Sequence, residues 1–151
     1  MKLVIQRVAH ARLTVADREV ARIGAGAVVL VGVARGDTEF DIQYLARKTS
    51  QLRIFDDEAG KLNAAIDRVK GAYLVVSQFT LYGDCGKGNR PSYIEAAEPE
   101  EALRLYEAYA AELRRLGHEV QTGIFRETMR VEIANDGPVT IVMESRGRAA
   151  P

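Results

Sequence analysis

The chain has 151 residues, 47% of them hydrophobic and 28% charged, and its 21 basic and 21 acidic side chains leave a formal net charge of zero. This is the composition of one globular domain long enough to bury its own core; it excludes a disordered chain, argues against a membrane span, and leaves no global basic footprint for nucleic acid. Cys85 is the single cysteine, which excludes an internal disulfide and a cysteine-based zinc site.

The start of the chain, Met1 to Arg7, has an apolar run too short for a signal peptide or a transmembrane helix, so the expected location is cytoplasmic. Lys2 to Ala9 predicts a strand. Arg12 to Ala16 and Glu19 to Ile23 predict a hairpin around Ala16-Asp17-Arg18, because apolar and polar residues alternate on both sides of it. Ala27 to Val33, AVVLVGV, is a β-branched run suited to a central strand covered on both faces. Asp37 is placed to cap a helix with Glu39 and Asp41 in its first turn, and Ile42, Leu45, Ala46, Thr49 and Leu52 give it one apolar stripe. The acidic turn Asp56-Asp57-Glu58 lacks the alternating ligands and distal Glu of a calcium loop, so no metal is assigned to it.

Ala72 to Asp84, AYLVVSQFTLYGD, is the stretch around which the rest is organised. Its apolar residues predict a second buried strand that runs directly into Ser77, Gln78, Phe79 and Thr80. If the strand continues through Thr80, its period of two puts Gln78 and Thr80 on one face and Ser77 and Phe79 on the other. Such polar side chains either satisfy local backbone groups at a strand end or present themselves to a ligand. The loop YGDCGKGNRPSY from Tyr82 to Tyr93 misses the spacing of a phosphate-binding loop, and neither His10 nor His118 stands in a recognised nucleophile–base pattern with Cys85.

A second helix is signalled by Pro99, Glu100 and Glu101 at its start, by Ala102, Leu103, Tyr106, Ala110, Leu113 and Leu116 as its buried stripe, and by Gly117 as its stop. Glu119 to Thr122, Met129 to Ala134 and Val139 to Met143 predict closing strands. Asn135-Asp136-Gly137-Pro138 between the last two has the chemistry of a hairpin loop. The expected architecture is a single α/β domain over residues 1–145, a layered or barrel-like mixed sheet covered by two main helices, followed by a loose tail at 146–151.

SQFTLYGD at Ser77–Asp84 and NDGPVT at Asn135–Thr140, with GNRPSY at Gly88–Tyr93, resemble the D-aminoacyl-tRNA deacylase family. The resemblance covers nearly the whole chain and includes MKLVIQRV, GVARGDT, LRIFDDEAGKLN and TGIF. It implies a cytoplasmic homodimer, without cofactor, that hydrolyses the ester joining a D-amino acid, or mischarged glycine, to the 3′ end of tRNA. The site residues it implies are Ser77, Gln78, Phe79 and Thr80 for the chemistry, and Gly137 and Pro138, joined by a cis bond, for rejecting L-substrates. In that family this Gly-Pro corner enters the partner subunit's site. Lys87, Arg90 and Arg7 are the candidate tRNA contacts.

Two routes to hydrolysis stay open: attack by water with backbone N–H groups near Phe79 and Thr80 holding the oxyanion, or a covalent Thr80 nucleophile. A nonenzymatic RNA-binding or dimerisation module and a general acyl-tRNA esterase are the alternatives. The chain departs from the usual pattern at Arg126 and Glu127, where small residues are expected, at Asn89, which is often basic, and at Ala64 and Ala65.

Overall fold

A computed structural model describes residues 1–146. Six strands form one mixed sheet. They are β1 (Lys2–Val15), β2 (Arg18–Ile23), β3 (Gly26–Gly32), β6 (Ala72–Ser77), β7 (Glu119–Thr122) and β8 (Met129–Glu144), while β4 (Phe55–Asp56) and β5 (Leu62–Ala64) make a separate small hairpin. The order across the main sheet is β2-β1-β3-β6-β7, with β8 on the other edge of β1. Helices α1 (Glu39–Ser50) and α2 (Pro99–Arg115) make the crossovers, which keep β3, β6 and β7 parallel.

The sheet curls into a nearly closed barrel and buries a core on each face. One core joins Leu3, Ile5, Val29, Val31 and Val75 to Leu45, Ala46, Leu105, Tyr109 and Leu113 of the two helices. The other fills the interior of the curl with Val8, Ala11, Leu13, Val28, Leu74 and Val76. The alternation along β3 and β6, one residue to each core, explains why both strands read as continuous apolar runs.

Several elements differ from the sequence reading. Lys2 to Val15 is one unbroken strand, whose far half forms the hairpin with β2 through Ala16 and Asp17, both at positive φ. The expected hairpin at Asn135–Pro138 does not reverse the chain. β8 stays antiparallel to β1 from Met129 opposite Val15 to Glu144 opposite Lys2, and the segment bulges out between Asn135 opposite Val8 and Thr140 opposite Gln6. Turn-forming residues serve a bulge as well as a turn, since both need unusual backbone angles and an interrupted ladder. In α2 the buried stripe includes Leu105 and Tyr109, while Leu103 and Leu116 are only half-buried. Leu52 lies beyond the end of α1. Arg146, expected in the loose tail, donates to Glu95 Oε2 at 2.9 Å and lies over the Tyr82 ring; the rest of that tail lies outside the described residues.

Thr38, not Asp37, occupies the N-cap of α1. Asp37 is buried and accepts from the Met1 amino group at 2.5 Å and the Ala34 N–H at 2.7 Å. The capping carboxylate is Asp41, which accepts from the Thr38 N–H at 2.7 Å and its hydroxyl at 3.1 Å. Burial pushes the Asp41 carboxyl up, but hydrogen bonds from Ser145 and Thr38 outweigh it and hold the group below its usual value. A carboxyl depressed in the folded state stabilises above its unfolded pKa, and that stabilisation disappears as pH falls through the folded value. Asp41→Asn should therefore lower Tm at pH 7 by about 2–4 °C, consistent with loss of a cap in a domain of this size. Thermal melts should show the gap closing on acidification.

Candidate functional site

β6 ends at Ser77, where its register with β3 runs out opposite Val31. The chain does not extend through Thr80 as period two supposed. The Gln78 N–H makes one more bond, to the Val31 carbonyl at 2.7 Å, and Phe79–Tyr82 then tightens into a 3₁₀ turn closed by Leu81 N–H to the Gln78 carbonyl at 3.3 Å. Gly32 makes this turn possible: a Cβ there would stand 3.1 Å from Leu81 Cβ and 3.2 Å from the Gln78 carbonyl oxygen, so the turn lies directly on the end of β3.

The change from strand to turn alters what the segment offers. The leading N–H groups of a 3₁₀ turn have no acceptor within it, so Phe79 and Thr80 present backbone donors at the exposed tip. Gln78 and Thr80 are brought together by the turn rather than by strand alternation, and the Gln78 amide donates to the Thr80 hydroxyl oxygen. An amide is no base, so this contact orients the hydroxyl without activating it.

A cavity of about 610 Å³ opens beside the tip. Ser77, Gln78 and Phe79 form one wall; Tyr93, Ala102 and Phe125 form much of the rest. Tyr93 packs edge-on against Phe79 with ring centroids 5.0 Å apart. Phe125 rests against Tyr106, which donates from its hydroxyl to the Val75 carbonyl at 2.9 Å and so ties α2 to β6 beneath the cavity. Burial pushes the Tyr106 hydroxyl up to about 12, a value at which it remains a donor throughout the neutral range. Tyr93 and Phe125 stand in the GNRPSY and TGIF segments, but no local pattern of residues marks either ring as a cavity wall. Thr80 is at the rim, outside the lining residues.

Gly137 and Pro138 lie elsewhere. They sit on the β8 bulge beside the middle of β1, three strands across the sheet from Ser77, a lateral distance on the order of 14 Å by ordinary strand spacing. Both are exposed, and the peptide between them is cis. Gly137 has φ +126°, and an added Cβ would meet Val139 Cγ2 at 2.8 Å and the Val139 nitrogen at 3.0 Å, so glycine is required at this corner.

Arg7 explains how an exposed bulge is held. Expected at the surface among the phosphate contacts, it is instead 7% exposed and turned into the protein. Its Nε donates to the Asp136 carbonyl at 3.0 Å and its Nη1 to the Ile54 carbonyl at 3.0 Å, with the carboxylates of Asp56 and Asp136 each at 3.4 Å. The guanidinium is thus a clamp between the β8 bulge and the segment entering β4. Lys87 and Arg90 are exposed in the loop between Gly83 and Tyr93, and Cys85 is exposed beside them. His118, weighed as a base, is buried against Tyr73 with Nδ1 3.4 Å from Asp67.

Among the described residues no helix is long and apolar enough to cross a membrane. The family model described as D-Tyr-tRNA(Tyr) deacylase matches residues 4–144. The chain is 57% identical to a D-aminoacyl-tRNA deacylase of Heliobacterium modesticaldum over 97% of this chain and 98% of that one. It is 52% identical to one from Thermus aquaticus over 96% of this chain and 95% of the relative. A solved structure described as c-Myc DNA Unwinding Element Binding Protein superposes with a TM-score of 0.91 at 38% identity, covering 96% of this chain and 99% of the other. A probable eukaryotic D-amino acid tRNA deacylase shares the fold at 16% identity, with a TM-score of 0.82 over 94% of this chain and 97% of its own.

Replacing Arg7 by Met should remove the clamp while keeping a long side chain, leaving the buried Ile54 carbonyl and the partly buried Asp136 carbonyl without their donor. Urea unfolding should report a loss of about 2–4 kcal/mol. Stability unchanged within error would show that the bulge holds itself.

Proposed function

The chain belongs to the D-Tyr-tRNA(Tyr) deacylase family, and we propose that it hydrolyses the ester linking a D-amino acid to the 3′ end of tRNA. Water adds to the ester carbonyl, the tetrahedral oxyanion is held by the backbone N–H groups of Phe79 and Thr80, and collapse expels the ribose oxygen, giving free tRNA and the amino acid. The substrate's own neighbouring 2′-hydroxyl assists the proton transfer. The observation that carries this reading is the 3₁₀ turn at Phe79–Tyr82, which aims backbone donors outward at the edge of an open cavity.

A covalent role for Thr80 is less well supported. Its hydroxyl faces an amide donor, and an unassisted threonine is a weak nucleophile. Lys87 and Arg90, exposed on the loop that follows the turn, are assigned to the tRNA backbone. Arg7 is withdrawn from that role, since its donors are engaged inside the protein.

Handedness is read by the Gly137–Pro138 corner. A pocket that recognised each side chain would gain only about 1–3 kcal/mol per methylene and would serve one amino acid. Fixed main-chain carbonyls near the α-carbon reject every L side chain on one steric ground, and glycine, having none, is accepted. The corner is three strands from its own chain's Phe79, so the reading requires a second copy to bring it there, with the active site at the interface of a homodimer.

Matched D- and L-tyrosyl-tRNA separate the alternatives: we expect release from the D-ester alone. Equal release would indicate a general esterase, and release from neither a binding module. Thr80→Ala should lower kcat/KM less than about tenfold, whereas loss of a covalent nucleophile costs on the order of 10⁶. Sedimentation at assay concentration should give a dimer, and an active monomer would overturn the two-chain site.

A further inference from the structure

Four charged side chains line the cavity: Arg35, Glu98, Arg126 and Glu127. Arg35 and Glu98 neutralise each other, with Nη2 2.6 Å from Oε1. Arg126 is exposed and has no hydrogen bond or ion pair among the described residues. Its backbone lies at φ +68°, a left-handed conformation that glycine adopts freely and a long side chain rarely does. An exposed arginine in a left-handed backbone, without a partner among the described residues, is free to meet a group from outside the protein.

We infer that Arg126 is a substrate-positioning residue whose guanidinium receives the phosphodiester leading into the terminal adenosine of the aminoacyl-tRNA. The inference rests on the deacylase reading above. Ser77–Phe79 and Phe125–Glu127 line the same cavity and leave adjacent parallel strands, β6 and β7, so an ester carbonyl held at the donors brings the nucleotide's own phosphate to the neighbouring wall. A guanidinium suits that partner because its planar fork pairs two donors with two phosphate oxygens. Glu127, the next residue and exposed on the same wall, adds a negative charge nearby that opposes binding of an anion.

The decisive comparison is between D-tyrosyl-tRNA and 2′(3′)-O-D-tyrosyladenosine, which carries the same ester and no phosphate. Arg126→Gly suits the left-handed backbone and should fold with Tm unchanged or raised. On the tRNA substrate it should raise KM about three- to tenfold with kcat nearly constant, and lower the salt slope of kcat/KM by about 0.7, the value for one phosphate contact on a single strand. On the adenosine ester it should change neither constant. Arg126→Lys should restore part of the tRNA KM, and Glu127→Gln should lower that KM.

An equal rise in KM on both substrates, or no rise on either, overturns the phosphate contact while leaving the deacylase reading intact. A loss confined to D-aspartyl-tRNA would also overturn it, because the guanidinium would then be meeting the amino-acid carboxylate. If the unmodified protein releases no D-tyrosine from either substrate, the deacylase reading fails first and this inference falls with it.

Discussion

The structure depends on one strand being paired along both edges. β1 gives its first half to β3 and its second half to β2 on one side, and its whole length to β8 on the other. A strand used in this way must bend from one set of partners to the other, and that bend turns an open sheet into a curled one with an interior. The two cores follow from it, as does the coverage of β3 and β6 on both faces. The ladder also fixes where the β8 bulge falls, because residues in excess of the register have to leave the sheet between Val8 and Gln6.

The same ladder places Arg7 under the bulge it supports. A charge this deeply buried costs desolvation unless its donors are met, and here they are met by two backbone carbonyls and two carboxylates. The exposed Gly137–Pro138 corner is therefore fixed from beneath, by a residue that is itself buried. Rigidity and exposure are achieved together, which the proposed exclusion of L-substrates by contact at this corner would require.

At the other end of the sheet the design differs. The catalytic donors proposed at Phe79 and Thr80 belong to the backbone, held by the register of β6 on β3 and by the fit of the turn against Gly32. Chemistry carried by main-chain groups is insensitive to side-chain identity and sensitive to where a strand stops. Side chains matter on the cavity wall, where Arg126 and Glu127 stand.

Much was legible in the sequence. The apolar runs at Ala27–Val33 and Ala72–Val76 announced strands covered on both faces, and the stripes of Ile42, Leu45 and Ala46 and of Ala102, Tyr106, Ala110 and Leu113 announced the helices. These are local signals, set by which faces of an element must leave water. The resemblance carried by Ser77–Asp84 and Asn135–Thr140 pointed to the family. What the sequence alone could not supply was decided by partners distant along the chain. Asn-Asp-Gly-Pro reads equally as hairpin and bulge until β1 is seen to accompany β8 on both sides of it. Arg7 reads as a surface cation until the Ile54 and Asp136 carbonyls, far from it in sequence, are brought to its guanidinium. The end of β6 at Ser77, and with it the turn that exposes the donors, was likewise fixed by where β3 ends. Burial is written residue by residue in the pattern of side chains, whereas register is a relation between strands and exists only once they have paired.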